Sequence, residues 1–462
     1  MVVRYRDRAA LLTLVGFVAC SNSAGHPGSS PGSGAGGGSN NSAGATGTGS
    51  AGTGGNAAGP STGGNVAATG GRANGEGTGG ESLMGSGGAD APTGGSPGTG
   101  GSAATGGRAG GTTGGAAGGA GLVLDAGVSA DSGVFDPGTT GDGDFTVTTL
   151  TMQPDLTDKG APKGKRFQFI MDSTKSTIFD GKDPTVIASQ RQLTRLISVY
   201  VPAQYKDGTP APILVMQDGP PSPKGWGDGP PFDAVSRALD NLTISKDPAR
   251  KLPAFIAIGV ENGGSDARGS ERGLEYDTLS DRYARFVQME VLPAILGDPT
   301  IKAAYPGLAF TDDPEGKGTY GCSSGAAGSF TMAWFRPDLF RRVITYSGTF
   351  VANQNAGQPE SPIYPLGAWE YHSSTELIAN TDPAKPLRVH LNANEMDNGY
   401  TSAESGHHNW VIANQKMAAA LKAKGYHYRF DFVKGLGHCD YNAWRATLAD
   451  TLVWVWSGYP TN

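Results

Sequence analysis

Residues 319–328 of this 462-residue chain read TYGCSSGAAG. A strand-like stretch, GTYG, ends there in a Gly/Ser turn, and a helix-like stretch, AAGSFTMAWF, runs from the turn up to Pro337. The turn holds the pattern G-x-S-x-G centred on Ser323, which also occurs by composition in GSSPG (28–32) and GGSPG (94–98). Of these copies, only the one at residues 321–325 has the strand–turn–helix setting in which glycines relieve a strained turn and the serine hydroxyl is lifted to the edge of a sheet.

This setting predicts that Ser323 is a nucleophile at the start of a helix. The backbone N–H of Ser324 is then one donor to an oxyanion. A second donor should come from the loop after the strand-like run ILVMQ (213–217), where the two following prolines have no N–H to offer. Asp218 and Gly219 remain, and Gly219 is preferred because a glycine lets the backbone approach the oxyanion closely.

A serine nucleophile needs a general base, and this setting gives the chain order serine, acid, histidine. His438, in GLGHCDY, stands between a strand-like stretch and the final helix and is the predicted base. The acid should follow the strand-like run LRVHLNA (387–393), in the loop NEMDNG. Asp397 is preferred because it lies deeper in the turn, where it can reach the imidazole Nδ1, and Glu395 is the alternative.

Strand-like and helix-like segments alternate through the second two-thirds of the chain. The predicted strands are LISVYVP (196–202), PILVMQDG (212–219), AFIAIGVE (254–261), RVITYSG (342–348), LRVHLNA (387–393) and YRFDFVKG (428–435). The predicted helices cover 280–296, 409–425 and 441–456. Nearly continuous apolar strands are typical of strands buried on both faces. The pattern therefore predicts an α/β protein with a mostly parallel central sheet and helices on both faces.

The composition of the chain changes sharply along its length. More than half of the 74 glycines lie before residue 145, and no Phe, Tyr or Trp occurs between Cys20 and Phe135. A segment without apolar side chains to bury cannot offset its chain entropy. We therefore predict a disordered Gly/Ser/Thr-rich linker over residues 21–143 and one folded domain over residues 144–462. The net charge of −6 gives no basic footprint for nucleic acid.

The first twenty residues, MVVRYRDRAALLTLVGFVAC, predict an export signal. Three arginines precede an apolar run that is too short to span a bilayer. The run ends in FVAC, which resembles the bacterial lipobox and would make Cys20 the lipidated N-terminus. An ordinary signal peptide is the alternative. A lipid anchor followed by a long tether predicts the outer membrane or cell surface, with a secreted or periplasmic protein as the alternative.

Across the domain, the chain resembles the putative-esterase group of α/β-hydrolases related to enterochelin esterase. The matching segments are VYVPAQY (199–205), VMQDG (215–219), SERGLEYDTLSDRYARFVQMEVLPAI (270–295), GCSSGAAG (321–328), RPDLFRRVITYSGTF (336–350), HNWVIANQKMAAALKAKGY (408–426) and GLGH (435–438). The resemblance implies the α/β-hydrolase fold, Ser323 and His438 as nucleophile and base, and an acid near Asp397. It also implies that Arg272 and Glu275 lie near the pocket, the alternative being a surface ion pair at i,i+3.

One loop departs from the family pattern. Residues 218–232, DGPPSPKGWGDGPPF, are unusually rich in proline and lie over the expected pocket, which leaves the substrate open. Trp226 in this loop is either a platform on which a substrate ring stacks or an anchor for the loop.

Two cysteines flank the predicted catalytic residues. Cys322 immediately precedes Ser323, and Cys439 immediately follows His438. Because the serine and the histidine must come within hydrogen-bond reach, their neighbours come close as well. A compartment outside the cytoplasm favours oxidation, so we predict a Cys322–Cys439 disulfide, with two buried free thiols as the alternative. The arrangement is similar to the Cys-Ser/Asp/His-Cys motif of tannases and fungal-type feruloyl esterases.

The predicted function is that of a serine carboxylic ester hydrolase that acts outside the cytoplasm through an acyl-enzyme, with neither metal nor cofactor. A carbohydrate-linked feruloyl or acetyl ester is the favoured substrate. A siderophore ester is the alternative by family analogy, although only Arg268 and Arg272 are obvious residues for a basic pocket. The alternative from another class is a non-catalytic surface binding module. Membrane contact is expected only through the N-terminal lipid, and no nucleic-acid partner is expected.

Overall fold

The structure is a computed structural model that describes residues 138–219, 232–264, 269–353 and 364–461. The predictions for the export signal, Cys20, Trp226, Arg268 and nearly all of the linker lie outside these ranges. The first described residue is Gly138. Asp142, which lies near the end of the predicted linker, accepts hydrogen bonds from His427 and Trp454 of the domain at 2.9 and 3.1 Å. In the described part of the chain, no helix combines the length and the apolar character needed to cross a bilayer.

In the part of the chain that the structure describes, nine strands form one sheet. The strands of the described ranges are β1 (Gly143–Val147), β2 (Lys165–Asp172), β3 (Thr194–Val201), β4 (Pro210–Ala211), β5 (Ile213–Gln217), β6 (Ile256–Val260), β7 (Ala309–Phe310), β8 (Lys317–Cys322), β9 (Arg342–Tyr346), β10 (Arg388–Met396) and β11 (His427–Gly437). The sheet order is β1-β11-β10-β9-β8-β5-β6-β3-β2, and β4 pairs with β7 separately. Strand β3 is antiparallel to both neighbours, and every other pairing in the large sheet is parallel. The predicted mostly parallel sheet is confirmed.

Helices lie between the strands. The described helices are α1 (Phe232–Leu242), α2 (Glu271–Tyr276), α3 (Arg282–Phe286), α4 (Leu292–Gly297), α5 (Pro299–Ala304), α6 (Ser324–Phe335), α7 (Leu377–Asn380), α8 (Trp410–Lys424) and α9 (Tyr441–Val455). The single helix predicted over 280–296 is instead α3, a π-helical turn and α4. The π-helical turn ends at Val291, two residues before Pro293, which has no N–H to continue a regular α-helical ladder.

The core lies on both faces of the sheet. Ile213 and Val215 of β5 pack into a cluster that includes α6 and α8, whereas Leu214 and Met216 pack into a cluster that includes α1 and α9. All four side chains are fully buried. Successive side chains point to opposite faces of a strand, so a strand covered on both faces needs apolar residues at every position. This is the physical origin of the continuous apolar runs in the sequence.

The parallel strands bring polar residues to one edge. Strands β11, β10, β9, β8 and β5 are consecutive neighbours in the sheet and all run in the same direction. Their carboxyl ends therefore meet at one edge, where ligands of open α/β sheets bind. The first residues beyond these ends are, in the same order, His438, Asp397, Ser347, Ser323 and Asp218.

The two glycines of GCSSG permit a close contact between β8 and α6. A Cβ atom on Gly321 would lie 2.2 Å from the carbonyl carbon and oxygen of Gly325. A Cβ atom on Gly325 would lie 2.8 Å from a carboxylate oxygen of Asp218. Both glycines of the pattern are thus required by the proximity of strand, helix and neighbouring loop.

We expect Gly321→Ala to lower the free energy of unfolding by at least about 2 kcal/mol, because the added methyl group meets backbone atoms that cannot move independently. Gly297→Ala, at the end of α4, is the control, since no atom lies within 4 Å of a Cβ atom there. Urea unfolding followed by circular dichroism measures both. Equal midpoints for the two variants would contradict the tight strand–helix contact.

Candidate active site

Ser323 occupies a strained turn between β8 and α6. Its backbone has φ 58° and ψ −131°, which is uncommon for a residue with a side chain. Hydrogen bonds to the end of β9 and to the loop after it hold this conformation. The Ser323 N–H donates to the Tyr346 carbonyl at 3.1 Å, and the Ser323 carbonyl accepts from Thr349 N at 3.0 Å. The side chain is 7% exposed. The turn therefore fixes the Ser323 hydroxyl at the carboxyl edge of the sheet.

Ser323, His438 and Asp397 form a continuous hydrogen-bonded path. The Ser323 Oγ lies 2.9 Å from His438 Nε2, and His438 Nδ1 lies 2.6 Å from Asp397 Oδ1. A carboxylate only accepts hydrogen bonds, so Nδ1 carries the ring proton and Nε2 is left to accept from the serine hydroxyl. Asp397 is fully buried, and Asn398 N donates to its Oδ1 at 2.8 Å. The three predicted residues thus meet with their polar atoms in the order that proton transfer requires.

Glu395 is held away from this path. Its carboxylate pairs with Lys434 Nζ at 2.6 Å and accepts from Gly435 N at 2.9 Å. Strand β10 runs three residues past the end expected from the sequence, so Glu395 lies inside the strand and Asp397 is the first residue beyond it. Between Asn394 and Met396 the pairing with β11 is irregular. Of the two acids considered, the structure brings only Asp397 to His438.

The two backbone donors considered for the oxyanion lie at the same edge. Ser324 is the first residue of α6, where a backbone N–H has no acceptor within the helix. Gly219 has φ 65°, and a Cβ atom there would lie 3.1 Å from the backbone nitrogen of Glu261. The Asp218 N–H already donates to the Tyr276 hydroxyl at 3.2 Å. Gly219 is therefore the better placed of the two residues that the sequence left open.

Arg272 lies beneath this loop. Its guanidinium is bidentate on Asp218, with Nε–Oδ1 at 2.7 Å and Nη2–Oδ2 at 2.9 Å, and Asn262 Nδ2 donates to the same carboxylate at 2.8 Å. Arg272 and Asp218 are 4% and 2% exposed. Such fork-to-fork pairing has a fixed geometry. It holds the side chain of the residue that immediately precedes Gly219.

Glu275 is also buried, and it has a different partner. Its carboxylate pairs with Arg195 Nη1 at 2.5 Å and accepts from Gly263 N at 3.1 Å. Burial raises the pKa of the Glu275 carboxyl, and the neighbouring Arg195 opposes this shift. The surface ion pair between Arg272 and Glu275 that the sequence allowed is therefore not what these side chains form. Each is paired separately, below the edge of the sheet.

The disulfide between Cys322 and Cys439 is present, as predicted. It joins residues 117 apart in sequence, with Cα atoms 6.1 Å apart. A second link joins the same loop to the residue after β9, because Cys439 N donates to Ser347 Oγ at 3.1 Å. The loop that carries His438 is thus connected to the end of β8 by a covalent bond and to the end of β9 by a hydrogen bond.

Two further residues of the site were not identified from the sequence. Thr349 Oγ1 lies 3.3 Å from Ser323 Oγ, and Trp410 Nε1 donates to Thr349 Oγ1 at 3.1 Å. Trp410 also lies edge-to-face with the His438 ring, with centroids 6.0 Å apart. Thr349 immediately follows the predicted strand RVITYSG (342–348), so the convergence of parallel strand ends could have indicated it. No sequence pattern singles out Trp410.

The other buried histidines belong to the packing of the domain. His372 Nε2 bonds to the Phe350 carbonyl at 2.9 Å, and burial lowers the His372 pKa to about 4. His390 lies 3.1 Å from Asp431 in the core, where burial lowers its pKa as well. Among the residues that the structure describes, no group of three or more His, Cys, Asp or Glu side chains is arranged to hold a metal ion.

We expect replacement of both Cys322 and Cys439 by alanine to lower the free energy of unfolding by about 2–4 kcal/mol, because the cross-link no longer restricts the unfolded chain. Guanidinium unfolding with and without dithiothreitol measures the effect. Reductant should shift the midpoint of the parent toward that of the variant and leave the variant unchanged. A parent midpoint equal to that of the variant under oxidising conditions would contradict the structural role of the disulfide.

Solved structures with a similar chain path include esterases. A ferulic acid esterase is 18% identical, with 64% of this chain and 99% of that chain covered and a TM-score of 0.43. A ferulic acid esterase from the anaerobic fungus Anaeromyces mucronatus is 14% identical, with 68% and 99% covered and a TM-score of 0.44. Enterochelin esterase from Shigella flexneri is 20% identical, with 64% and 60% covered and a TM-score of 0.41.

A comparison with curated proteins finds no match. The model of the family described as putative esterase matches residues 191–455, which is more than half of the chain and includes Ser323, Asp397 and His438. The chain belongs to the putative esterase family.

Proposed function

We propose that the protein is a serine carboxylic ester hydrolase in which Ser323, His438 and Asp397 are the catalytic triad. The observation that carries the proposal is the path from Ser323 Oγ to His438 Nε2 at 2.9 Å and from His438 Nδ1 to Asp397 at 2.6 Å. These are the contacts that a nucleophile, its general base and the group that orients the base require. Membership of an esterase family supports an ester as the substrate.

The reaction has two halves. Ser323 Oγ attacks the ester carbonyl carbon while its proton passes to His438 Nε2, and the carbonyl oxygen becomes an oxyanion. The tetrahedral intermediate then breaks its bond to the alcohol oxygen, which leaves with the proton from His438. Water attacks the acyl-enzyme in the same way, with His438 as base and then as acid, and releases the carboxylic acid and free Ser323.

The oxyanion is stabilised by backbone donors that are in place before the substrate arrives. In this mechanism the N–H groups of Ser324 and Gly219 point to the oxyanion. The position of Gly219 depends on its neighbour Asp218, whose carboxylate Arg272 holds through two hydrogen bonds. Donors that need no reorganisation are effective at the moment when charge develops.

The location that we propose is outside the cytoplasm. Support comes from the disulfide between Cys322 and Cys439, because such bonds persist mainly in oxidising compartments. The lipobox-like sequence that ends at Cys20 and the Gly-rich segment after it are consistent with a domain tethered to a cell surface. The tether and the lipid anchor belong to this proposal.

For the substrate we propose a carbohydrate-linked ester, such as a feruloyl or acetyl group. An anionic siderophore ester would require cationic side chains in the pocket. Of the two arginines considered for that role, Arg272 is bidentate on the buried carboxylate of Asp218, and Arg268 lies outside the described residues. Because the guanidinium of Arg272 is already paired with Asp218, we favour a substrate without strong negative charge.

We expect the protein to hydrolyse p-nitrophenyl acetate and Ser323→Ala to lower kcat by at least about 10⁴-fold, because the nucleophile is lost. Release of p-nitrophenolate measures the rate, and thermal unfolding checks that the variant is folded. Parent and variant with the same rate would indicate a non-catalytic binding module instead.

We expect Asp397→Asn to lower kcat by about 10³- to 10⁴-fold, because an amide no longer holds the histidine in the correct tautomer. Glu395→Gln is the matched control: it changes a neighbouring acid in the same way but affects only exposed contacts with Lys434 and Gly435 N, so its kcat should stay within about twofold. A larger loss of kcat for Glu395→Gln than for Asp397→Asn would identify Glu395, not Asp397, as the acid that orients His438.

The substrate class is tested by comparing kcat/KM for feruloylated and acetylated oligosaccharides with kcat/KM for a catecholate siderophore triester. We expect higher values for an oligosaccharide ester. A preference for the siderophore would overturn the substrate assignment and leave the serine mechanism intact.

A further inference from the structure

A second hydroxyl lies beside the nucleophile. Thr349 Oγ1 is 3.3 Å from Ser323 Oγ, and Thr349 is only 1% exposed. Its position is fixed independently of its side chain, because Thr349 N donates to the Ser323 carbonyl at 3.0 Å. The backbone of the loop after β9 therefore holds the Thr349 hydroxyl beside Ser323 Oγ.

The directions of the hydrogen bonds follow from the groups that make them. The Trp410 indole only donates, so its contact of 3.1 Å with Thr349 Oγ1 uses the threonine oxygen as acceptor. In the proposed resting state the single proton of the Ser323 hydroxyl is directed at His438 Nε2. Ser323 can therefore only accept from Thr349, and the Thr349 proton is directed at Ser323 Oγ.

Trp410 is tied to the acid side of the site as well. Its backbone N–H donates to the Asn398 carbonyl at 3.0 Å, and Asn398 N in turn donates to the Asp397 carboxylate at 2.8 Å. Its ring lies edge-to-face with His438. One residue thus contacts the loop of the acid, the ring of the base and, through Thr349, the nucleophile.

From this network we infer that Thr349 and Trp410 are positioning residues for Ser323, an inference that rests on the proposed serine mechanism. Trp410 orients the Thr349 hydroxyl, and Thr349 donates to Ser323 Oγ. The donated bond keeps the serine proton directed at His438. It also stabilises the negative charge that builds on Oγ as its proton leaves and, in the second half-reaction, as Oγ departs from the acyl carbon.

Four variants separate this role from simple packing. Thr349→Val keeps the shape and removes the donor, whereas Thr349→Ser keeps the donor and removes a methyl group. Trp410→Phe keeps an aromatic ring and removes the indole N–H, and the fourth variant combines Thr349→Val with Trp410→Phe. Thermal unfolding of each variant checks that the fold is retained.

We expect Thr349→Val to lower kcat for p-nitrophenyl acetate by about 10- to 100-fold with KM nearly unchanged, since the lost bond matters most when charge develops on Oγ. Thr349→Ser should restore kcat to within about twofold of the parent. Trp410→Phe should lower kcat by about 3- to 10-fold. The combined variant should be no slower than Thr349→Val alone, because Trp410 acts through Thr349.

The rate at which a fluorophosphonate phosphonylates Ser323 is the second readout. Oγ bonds to phosphorus, fluoride leaves and His438 takes the serine proton, so the rate reports a reactive hydroxyl without any ester substrate. Thr349→Val should slow this labelling and Thr349→Ser should not. The inference is overturned if Thr349→Val labels and turns over like the parent, if Thr349→Ser is as slow as Thr349→Val, or if the two substitutions combine additively. A parent that is labelled at Ser323 but hydrolyses no ester would refute only the proposed function.

Discussion

The convergence of parallel strand ends is the constraint on which the site depends. Neighbouring parallel strands bring their first polar residues to one edge, which places Ser323, Asp397 and His438 together although 115 residues separate the first from the last. The chemistry needs positions fixed to a fraction of an ångström. Strands buried on both faces supply that rigidity, since their side chains pack without freedom to shift.

Several bonds reinforce this edge from different directions. The disulfide and the hydrogen bond from Cys439 to Ser347 join the loop of the base to β8 and β9. On the other side of Ser323, the buried Asp218–Arg272 pair holds the loop of Gly219. A buried ion pair is weak evidence for stability, because desolvation offsets the attraction. Its position beside Gly219, the proposed second oxyanion donor, suits the pair instead to holding a geometry.

Much of this could be predicted because the signals were local. Continuous apolar runs indicated the buried strands, and the strand–turn–helix setting selected the G-x-S-x-G of residues 321–325 over the copies in the Gly-rich segment. The positions of Cys322 and Cys439 beside Ser323 and His438 predicted the disulfide. What failed was non-local or lay at a boundary. The end of β10 was placed too early, which left Glu395 as an alternative acid. The partners of Arg272 and Glu275, both on α2, come from the loop after β5 and from β3. Trp410 reaches Ser323 only through Thr349, a contact that no spacing in the sequence encodes.

The central claim is that Ser323 carries the acyl group between the two halves of the reaction. Intact-protein and peptide mass spectrometry after a rapid acid quench with p-nitrophenyl acetate tests it most directly. We expect one acetyl group per chain, located on the peptide that contains Ser323 and absent from the Ser323→Ala protein. An active enzyme with no covalent adduct under single-turnover conditions, or with the acetyl group on another residue, would contradict it.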